Sequence, residues 1–489
     1  MRCSRPKEKS IAKLSPAGGG RNWPAAAPAT TLGRMRRTKI VATLGPSSWA
    51  EDTLAALAQA GVNVFRINTA HGTPEEHRAL IRRVRALAPR CAVLLDTAGP
   101  KVRVGLLPQP VEVRPGEEVL LGAGGIPLTH PEVVGAVPPG ARVLLADGTL
   151  ELTVLENHGD FLRCRAERPG TIQAGKGVNF PGAVLPLPAL TPRDRESLAL
   201  AREEGVEFVA LSFAQRPEDV GEARALLGKD GPWVLVKVEL AAAVARMAEL
   251  LAVADGAMVA RGDLGVEIEP YRVPLVQRRL VDLCNSQAKP VIVATQMLQS
   301  MVASPVPTRA EVADVANAVW DGADALMLSD ETAVGRYPLE AVRAMDAAIR
   351  AAEGGEVPIR VPGLAPELVG EVPAAIAQSA CSIAQSVGAK LILCATISGW
   401  TAKLVASLRP GVPIAAVTPR PEVFRRLNLV WGVVPLLIPE AGTVDELLAL
   451  AIQAARQAGL VAGGERVVFT AGLPFHQPGT TNLIRVLEA

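Results

Sequence analysis

The chain has 489 residues, of which 49% are hydrophobic and only 3% aromatic, and its formal net charge at pH 7 is +2. This length accommodates two to four globular domains, and so small a charge predicts neither nucleic acid nor a membrane surface as a partner. No apolar run is long and charge-free enough to span a bilayer, and six cysteines without C-x-x-C spacing predict reduced thiols of a cytoplasmic protein rather than disulfides or a zinc site.

Residues 1–34 differ in composition from the rest of the chain. They contain seven basic residues, the single acid Glu8, and repeats of glycine, proline and alanine, without a hydrophobic period. We expect a disordered basic tail. An arginine-rich leader with few acids is also typical of a transit peptide. We favour the simpler explanation that translation begins at Met35, directly before the first strand.

From Lys39 onward, apolar segments typical of buried parallel strands alternate with segments of helical period. Eight strands are predicted, at 40–44, 62–67, 92–95, 208–213, 234–238, 257–260, 291–294 and 325–328. Eight strands that alternate with helices predict an α/β fold of the closed (β/α)8 TIM barrel type. An open doubly wound sheet is the alternative. We assign residues 35–99 and 189–355 to the barrel.

Residues 100–188 interrupt this alternation. They are rich in valine, glycine and proline, with short alternating strands, turns such as Asp147-Gly148 and few helical stretches. The pattern predicts an all-β domain inserted into the loop after the third strand. Because such loops lie on the active-site face of a barrel, we expect the insert to act as a lid.

The remaining residues, 356–489, predict a separate C-terminal α/β domain. A segment with spaced prolines at 357–366 has the composition of a domain boundary. Strands are predicted at 391–395, 413–417, 433–437 and 466–470.

Two carboxylates follow neighbouring strands of the predicted barrel. Lys237 and Glu239 are two residues apart, so their side chains project from the same face of the fifth strand. The sixth strand ends at Arg261-Gly262-Asp263, where glycine lets a ligand approach backbone N–H groups. Because the carboxyl ends of parallel strands share one face, we expect Glu239 and Asp263 to hold one Mg²⁺. The structural alternatives are a Lys–Glu pair and a surface Arg–Asp pair.

Other polar residues also follow strands, where catalytic residues of (β/α)8 enzymes lie. These are Arg66, Asn68 and His71 after the second strand, Asp96 and Thr97 after the third, Thr295 after the seventh and Ser329 after the eighth. For His71 alone, capping of the following helix is a competing explanation.

Several motifs occur in the order found in pyruvate kinases, and the chain resembles that family from about residue 36 to its C-terminus. The motifs are KIVATLGP at 39–46, NVFRINTAHG at 63–72, KGVNFPG at 176–182, MVARGDLG at 258–265, KPVIVATQM at 289–297 and PTRAEVADVANAVWDG at 307–322. The resemblance implies a barrel, a lid and a C-terminal regulatory domain. It also implies phosphoryl transfer from phosphoenolpyruvate to ADP, giving pyruvate and ATP in the last step of glycolysis. The enzyme would be an allosteric, cytoplasmic homotetramer that uses Mg²⁺ or Mn²⁺.

The resemblance also assigns roles to individual residues. Arg66, Lys237 and a Mg²⁺ held by Glu239 and Asp263 would stabilise the transferred phosphoryl group. Substrate binding would use Arg66, Lys237, Gly262, Asp263 and Thr295. The catalytic set would be Arg66, Lys237, Thr295 and Ser329, of which the last two line the face where a proton reaches the enolate through water. Nucleotide binding would use Asn68, His71, Arg103 and Lys176.

Two departures from the family pattern concern a monovalent cation. Potassium-dependent members have a serine where this chain has Ala70, and an acidic residue where it has Lys101. Asn68, Asp96 and Thr97 are the remaining residues of that site. Because an ammonium group can replace a bound cation near a phosphate, we expect that K⁺ is not required and that Lys101 substitutes for it.

The C-terminal domain contains a candidate effector loop, formed by Thr396, Ser398, Gly399 and Thr401 between a strand and a helix. Hydroxyl and N–H groups at a helix N-terminus can bind phosphate, and the resemblance implies a phosphorylated effector. Ile397 replaces a basic residue common in binders of fructose 1,6-bisphosphate, which favours a sugar monophosphate or a nucleotide. Plain helix capping is the alternative.

Two other function classes remain open at this stage. A barrel lyase or aldolase that acts on pyruvate would have similar strand-end ligands without needing the lid. An inactive metabolite sensor would retain the fold but is expected to lose residues such as Lys237 or Asp263.

Overall fold

The computed structural model describes residues 35–473 and 480–489, so the predicted tail at 1–34 lies outside the described residues. The described chain begins with two strand–helix units and a third strand. These elements are β1 (Lys39–Thr43), α1 (Glu51–Gln59), β2 (Val64–Asn68), α2 (Pro74–Leu87) and β3 (Ala92–Asp96). The cap of α2 is Thr73, which forms a reciprocal capping box with Glu76. The capping explanation for His71 is therefore wrong.

The inserted segment is all-β, apart from a short 3-10 helix at Pro131–Ala136. Its strands are β4 (Val111–Val113), β5 (Glu118–Gly122), β6 (Arg142–Leu145), β7 (Leu150–Asn157), β8 (Phe161–Ala166), β9 (Gly170–Ile172) and β10 (Val178–Asn179). Five of them pair in the order β10-β6-β7-β8-β5, and β4 pairs with β9. The insert has its own apolar core, which includes Val133, Leu152 and Leu162. The predicted β-insert is confirmed.

After the insert the barrel resumes. Its second part consists of α3 (Pro192–Glu203), β11 (Phe208–Leu211), α4 (Pro217–Leu227), β12 (Trp233–Val238), α5 (Ala241–Ala245), α6 (Met247–Val253), β13 (Gly256–Ala260), α7 (Arg261–Glu267), α8 (Val273–Ser286), β14 (Val291–Ala294), α9 (Arg309–Asp321), β15 (Ala325–Leu328), α10 (Asp330–Ala333) and α11 (Pro338–Glu353). The eight parallel strands close in the order β1-β15-β14-β13-β12-β11-β3-β2. The closed barrel is confirmed, and the open sheet is wrong.

The fourth barrel strand is shorter than predicted. It ends at Leu211, and Phe213 has a φ of 57°, which an extended strand cannot accommodate. The chain thus turns at Ser212-Phe213, inside the apolar run that predicted a continuous strand to residue 213.

The C-terminal α/β domain packs against the amino-terminal end of the barrel. Its elements are α12 (Val372–Ser386), β16 (Leu391–Ala395), α13 (Trp400–Ser407), β17 (Ile414–Thr418), α14 (Pro421–Arg426), β18 (Val433–Leu437), α15 (Val444–Gln457), β19 (Arg466–Gly472) and β20 (Thr481–Glu488). The sheet order is β18-β17-β16-β19-β20, with β20 antiparallel to β19. Strand β20 was not predicted, because half of its residues are polar and its apolar residues do not alternate with them.

One apolar cluster runs from the barrel interior into the C-terminal domain, with Val41, Leu94 and Leu235 on one side and Ile392 and Val405 on the other. This packing closes the amino-terminal end of the barrel. The lid follows the carboxyl end of β3 and therefore lies at the opposite end. Every described helix is too short or too polar to traverse a bilayer.

Candidate active site

Four charged side chains meet at the carboxyl ends of β2, β3 and β12. Asp96 Oδ2 accepts a hydrogen bond from Arg66 Nε at 2.7 Å, and Asp96 Oδ1 lies 3.2 Å from Lys237 Nζ. Lys237 Nζ is also 3.2 Å from Glu239 Oε2. The side chains of Asp96 and Glu239 are 1% and 0% exposed, so the pairs are buried. We call Arg66, Asp96, Lys237 and Glu239 the upper cluster.

The upper cluster holds its cations in the charged form. Burial alone would raise the pKa of Asp96, but the adjacent Lys237 and Arg66 outweigh it and hold the pKa below its usual value. Burial likewise acts to lower the pKa of Lys237, yet Asp96 and Glu239 raise it above that of an ordinary lysine. Two permanent cations are therefore fixed at the mouth of the barrel, where an anion can bind.

Ser212 supports Lys237 and was missed by the sequence analysis. Its hydroxyl accepts a hydrogen bond from Lys237 Nζ at 2.7 Å and donates to the carbonyl oxygen of Thr97 at 2.6 Å. Its N–H donates to Thr97 Oγ1 at 2.9 Å. Nothing in the local sequence distinguishes this serine, because its role depends on the turn at Phe213 and on two neighbouring strands.

Glu239 has the chemistry of a metal ligand. Its Oε1 accepts the Phe213 N–H at 2.6 Å, whereas Oε2 is buried and receives no hydrogen bond from any described residue. Burial raises the pKa of this carboxyl to about 7. Its charge partner is Lys237 Nζ at 3.2 Å, and without a hydrogen bond Oε2 keeps lone pairs that can bind a further cation. Within residues 35–473 and 480–489, no group of three His, Cys, Asp or Glu side chains is placed to hold a metal ion by itself, so a bound Mg²⁺ would also need oxygens from substrate or water.

Asp263, the second predicted ligand, lies in the first turn of α7. Its Oδ1 accepts a hydrogen bond from Lys101 Nζ at 2.7 Å, while Arg261 pairs with Asp314 at 2.7 Å. The alternative of an Arg261–Asp263 surface pair is therefore wrong. Lys101 was expected beside Asn68, Asp96 and Thr97, but its ammonium group contacts Asp263 instead.

The three remaining residues of the potassium site already have internal partners. Asn68 Oδ1 accepts the Ala70 N–H at 3.1 Å, and both oxygens of Asp96 face cations of the upper cluster. Thr97 Oγ1 donates to the carbonyl oxygen of Ala210 at 3.2 Å. Their oxygen atoms are thus engaged by protein groups.

Thr295 closes one side of the site in an unusual backbone conformation. Its φ is 71°, an outlier for a β-branched residue that is typical of functional positions. Its Oγ1 accepts the Gly262 N–H at 2.8 Å, and its carbonyl oxygen accepts Arg261 Nη2 at 2.6 Å. The Gly262 N–H, predicted as a donor to substrate, is therefore already engaged, and the Thr295 hydroxyl keeps its own proton to donate.

Ser329 follows β15 and presents a buried hydroxyl that has no hydrogen-bond partner in the part of the chain that the structure describes. Its N–H donates to Glu331 Oε2 at 2.7 Å, which fixes the backbone. A buried hydroxyl of this kind requires water or a ligand.

The side chains of the four residues predicted to bind nucleotide form no hydrogen bonds or ion pairs with one another in the described part of the chain. His71, Arg103 and Lys176 are exposed, and Asn68 is half-buried. Arg103 Nη1 donates to the carbonyl oxygen of Gly175 at 2.9 Å, between the two chain segments that join the lid to the barrel. Arg103 and Lys176 thus belong to the lid, and Asn68 and His71 to the barrel.

The candidate effector loop lines a cavity of about 70 Å³ in the C-terminal domain. Helix α13 has Gly399 as its N-cap, and Ser398 Oγ accepts the N–H of Trp400, the first residue of the helix, at 3.4 Å, so capping by Ser398 remains an alternative explanation of the loop. Thr396 Oγ1 accepts the Gly399 N–H at 2.8 Å, and the Thr401 and Thr481 hydroxyls are 2.6 Å apart. Glu440 is the charged residue among the described groups of the cavity wall.

Comparison with known proteins gives a consistent result. Two family models match the chain, "Pyruvate kinase, barrel domain" over residues 35–342 and "Pyruvate kinase, alpha/beta domain" over residues 374–487. The pyruvate kinase of Agrobacterium vitis is 42% identical over 468 residues, covering 93% of this chain and 97% of that protein. Those of Geobacillus stearothermophilus and Staphylococcus aureus (strain USA300) are 42% and 40% identical, over 92% of this chain and 80% of each protein.

Proposed function

Since the chain belongs to the pyruvate kinase family and transfers the phosphoryl group of phosphoenolpyruvate to ADP, we propose that the upper cluster performs this transfer. In the reaction the bond between phosphorus and the enol oxygen breaks, and a bond to the terminal phosphate oxygen of ADP forms. Arg66 and Lys237 neutralise the charge of the transferring group. The observation that carries this assignment is the buried pairing of both cations with Asp96, which holds them charged and in place.

Glu239 and Asp263 hold Mg²⁺ in this proposal, and Mn²⁺ fits the same oxygen ligands. The buried Oε2 of Glu239 supports it, as does Asp263 Oδ2, which has no hydrogen bond among the described residues. When bound, the metal supplies positive charge that stabilises the phosphoryl group and the enolate oxygen.

The substrate carboxylate is bound by the Thr295 hydroxyl and by amides of the first turn of α7 other than that of Gly262, which already donates to Thr295 Oγ1. The enolate left after transfer takes a proton at its terminal carbon and becomes pyruvate. The unpartnered Ser329 hydroxyl and Thr295 hold the water that delivers this proton. Arg103 and Lys176, carried by the lid, bind the phosphates of ADP with Asn68 and His71.

The test is formation of pyruvate from phosphoenolpyruvate, ADP and Mg²⁺, followed by coupled oxidation of NADH. Removing the charge of Asp263 in Asp263→Asn is expected to lower turnover at least about 10²-fold. A lyase would release pyruvate without ADP, and a sensor would bind phosphoenolpyruvate without turnover. Near-normal turnover in Asp263→Asn would refute the metal assignment.

We also propose that the enzyme does not require K⁺. Support comes from Ala70 and from the internal partners of Asn68, Asp96 and Thr97, whereas Lys101 brings its ammonium group to Asp263 rather than to these three residues. Full turnover is expected when K⁺ and Na⁺ are replaced by tetramethylammonium at constant ionic strength. The double variant Lys101→Glu/Ala70→Ser is expected to become K⁺-dependent. Strong activation of the unmodified protein by KCl would contradict the proposal.

For regulation, we propose a cytoplasmic homotetramer with a phosphorylated effector, either a sugar monophosphate or a nucleotide, in the cavity at Thr396, Ser398, Gly399 and Thr401. The five described cysteines are free, as expected for the cytoplasm. Candidate effectors should shift the phosphoenolpyruvate saturation curve, and Ser398→Ala should abolish the shift. If no effector acts and Ser398→Ala is silent, the cavity has no regulatory role. Light scattering after gel filtration tests the tetramer.

A further inference from the structure

The lid is joined to the barrel by two chain segments that pair with each other, residues 100–104 and 176–180, which we call the stalk. The N–H of Val104 donates to the carbonyl oxygen of Lys176 at 2.8 Å, and that of Val178 donates to Val102 at 2.9 Å. Arg103 and Gly177 form an antiparallel bridge between the same segments. Because Arg103 and Lys176 stand on the stalk, its orientation decides where these two cations lie.

Both segments of the stalk are tied to the short helix α7 by carboxylates one helical turn apart. Asp263 accepts from Lys101, and Glu267 Oε1 accepts from Asn179 Nδ2 at 2.8 Å. Residues four apart lie on the same side of a helix, so the acidic side of α7 holds the stalk at two points.

The apolar cores of the lid and of the barrel form separate clusters among the described residues. A cavity of about 250 Å³ separates the stalk from the barrel, lined by Val102, Val178 and Phe180 of the stalk and by Phe213 and Leu240 of the barrel. A void of this size removes the dispersion contacts that would otherwise fix two packed elements. The polar ties at the edge of the cavity therefore determine the position of the stalk.

Glu267 is 9% exposed, and Asn179 is its hydrogen-bond partner among the described residues. Burial raises the pKa of its carboxyl. A buried carboxyl that has one neutral hydrogen-bond donor lowers the free energy of unfolding. None of the substrate, metal or proton-transfer roles described above involves Glu267.

We propose that Glu267 is a positioning residue that, through Asn179, holds the lid in register with the substrate-binding first turn of α7. Helix α7 spans only Arg261–Glu267, so its first turn and its tie to the stalk move as one unit. The first turn carries Gly262 and Asp263, and the stalk carries Arg103 and Lys176. Glu267 thereby couples the phosphoenolpyruvate side of the site to its nucleotide side, an inference that rests on the proposed function.

The test compares Glu267→Ala with Glu267→Gln, whose amide oxygen can still accept the Asn179 hydrogen bond. Loss of a buried hydrogen bond to a charged group is expected to raise the KM for ADP about tenfold in Glu267→Ala. The KM for phosphoenolpyruvate should change less than threefold, and Glu267→Gln should restore most of the ADP affinity. Hydrogen exchange of residues 173–182 without ligand should accelerate in Glu267→Ala. The matched control is Glu269→Ala, which removes an exposed acid two residues further along.

Asn179→Ala tests the same bond from the stalk, so the inference stays testable if Glu267→Ala does not fold. The double variant Glu267→Ala/Asn179→Ala should bind ADP no worse than either single variant, because both remove one interaction. The inference is overturned if Glu267→Ala and Glu267→Gln behave alike, if both substrates lose affinity equally, or if the two effects multiply. Absence of kinase activity in the unmodified protein would instead refute the proposed function, while the exchange measurement would still test the tie.

Discussion

The two ends of the barrel both bury cationic side chains, but with opposite consequences. At the carboxyl end, Lys237 lies between Asp96 and Glu239, and its pKa is raised above the usual value. At the amino end, Lys39 donates to the carbonyl oxygen of Val433 at 2.7 Å, and burial lowers its pKa to about 7.

A second lysine at the amino end behaves in the same way. Lys403 lies over the rings of Trp233 and Trp400, at 4.6 and 5.1 Å from their centroids, and burial lowers its pKa to about 8. We call Lys39 and Lys403 the lower lysines. Neither is paired with a carboxylate by an ion pair among the described residues; a carbonyl oxygen and aromatic rings take that place.

The difference shows that the partner, rather than burial, decides what a buried lysine can do. Carboxylates around Lys237 preserve a positive charge for an anionic substrate. Carbonyl and ring partners join the barrel to the C-terminal domain but allow the ammonium group to lose its proton near neutral pH. The upper cluster is thus suited to catalysis, and the lower lysines to domain packing.

The largest change is expected when the acid shared by both upper cations is neutralised. Asp96→Asn leaves Arg66 and Lys237 with one acid, and unpairing buried charges should lower the free energy of unfolding by about 3–5 kcal/mol. Turnover should fall as well. Urea unfolding measures the first effect. The control Asp445→Asn alters an acid that is 92% exposed and should leave stability unchanged. If Asp96→Asn and Asp445→Asn lost the same stability, the buried ion pairs of Asp96 would contribute no more than an exposed pair, which would contradict the comparison.

A second change concerns the metal. Glu239→Gln removes the charge of the buried Oε2, so binding of Mn²⁺ should weaken at least about tenfold, as measured by titration calorimetry without substrate. The control is Glu269→Gln, which removes the charge of an exposed acid that follows α7 in the chain. Unaltered Mn²⁺ affinity in Glu239→Gln would show that the ion binds elsewhere.

At the amino end, the pH dependence of stability should reveal Lys39. Its pKa is about 7 in the folded protein and near 10.5 when exposed, so the unfolded chain binds more protons between these values. Stability therefore rises with pH in that window, and the penalty is complete below pH 7. Lys39→Met should flatten this rise by up to about 1.4 kcal/mol per pH unit. Exposed Lys390 provides the control Lys390→Met; an unchanged slope in Lys39→Met would mean that Lys39 stays protonated.

The smallest effect is expected from deletion of residues 1–34, which directly precede the barrel segment next to Lys39. Because this stretch has no hydrophobic period, its removal should leave both turnover and the thermal midpoint unchanged. A substantial loss of either quantity would show that the tail packs on the folded protein and would contradict a start of translation at Met35.

The sequence predicted the barrel and the meeting of Lys237 with Glu239 at its carboxyl end because both depend on local patterns. Apolar runs mark the strands, and strand ends share one face, which places Lys237 and Glu239 together. Ser212 and the contact between Lys101 and Asp263 were not predictable, since they depend on which side chains meet after the barrel closes. Strand β20 was missed because an exposed edge strand lacks the alternation that marks half-buried strands.

The most direct measurement compares Lys237→Met with Lys39→Met in turnover at pH 7.5, with circular dichroism to confirm folding. If charge held by carboxylates drives phosphoryl transfer, Lys237→Met loses at least about 10³-fold in kcat, whereas Lys39→Met stays within twofold of the unmodified enzyme. Comparable losses in the two variants, or near-normal turnover in Lys237→Met, would contradict the assignment of catalysis to the upper cluster.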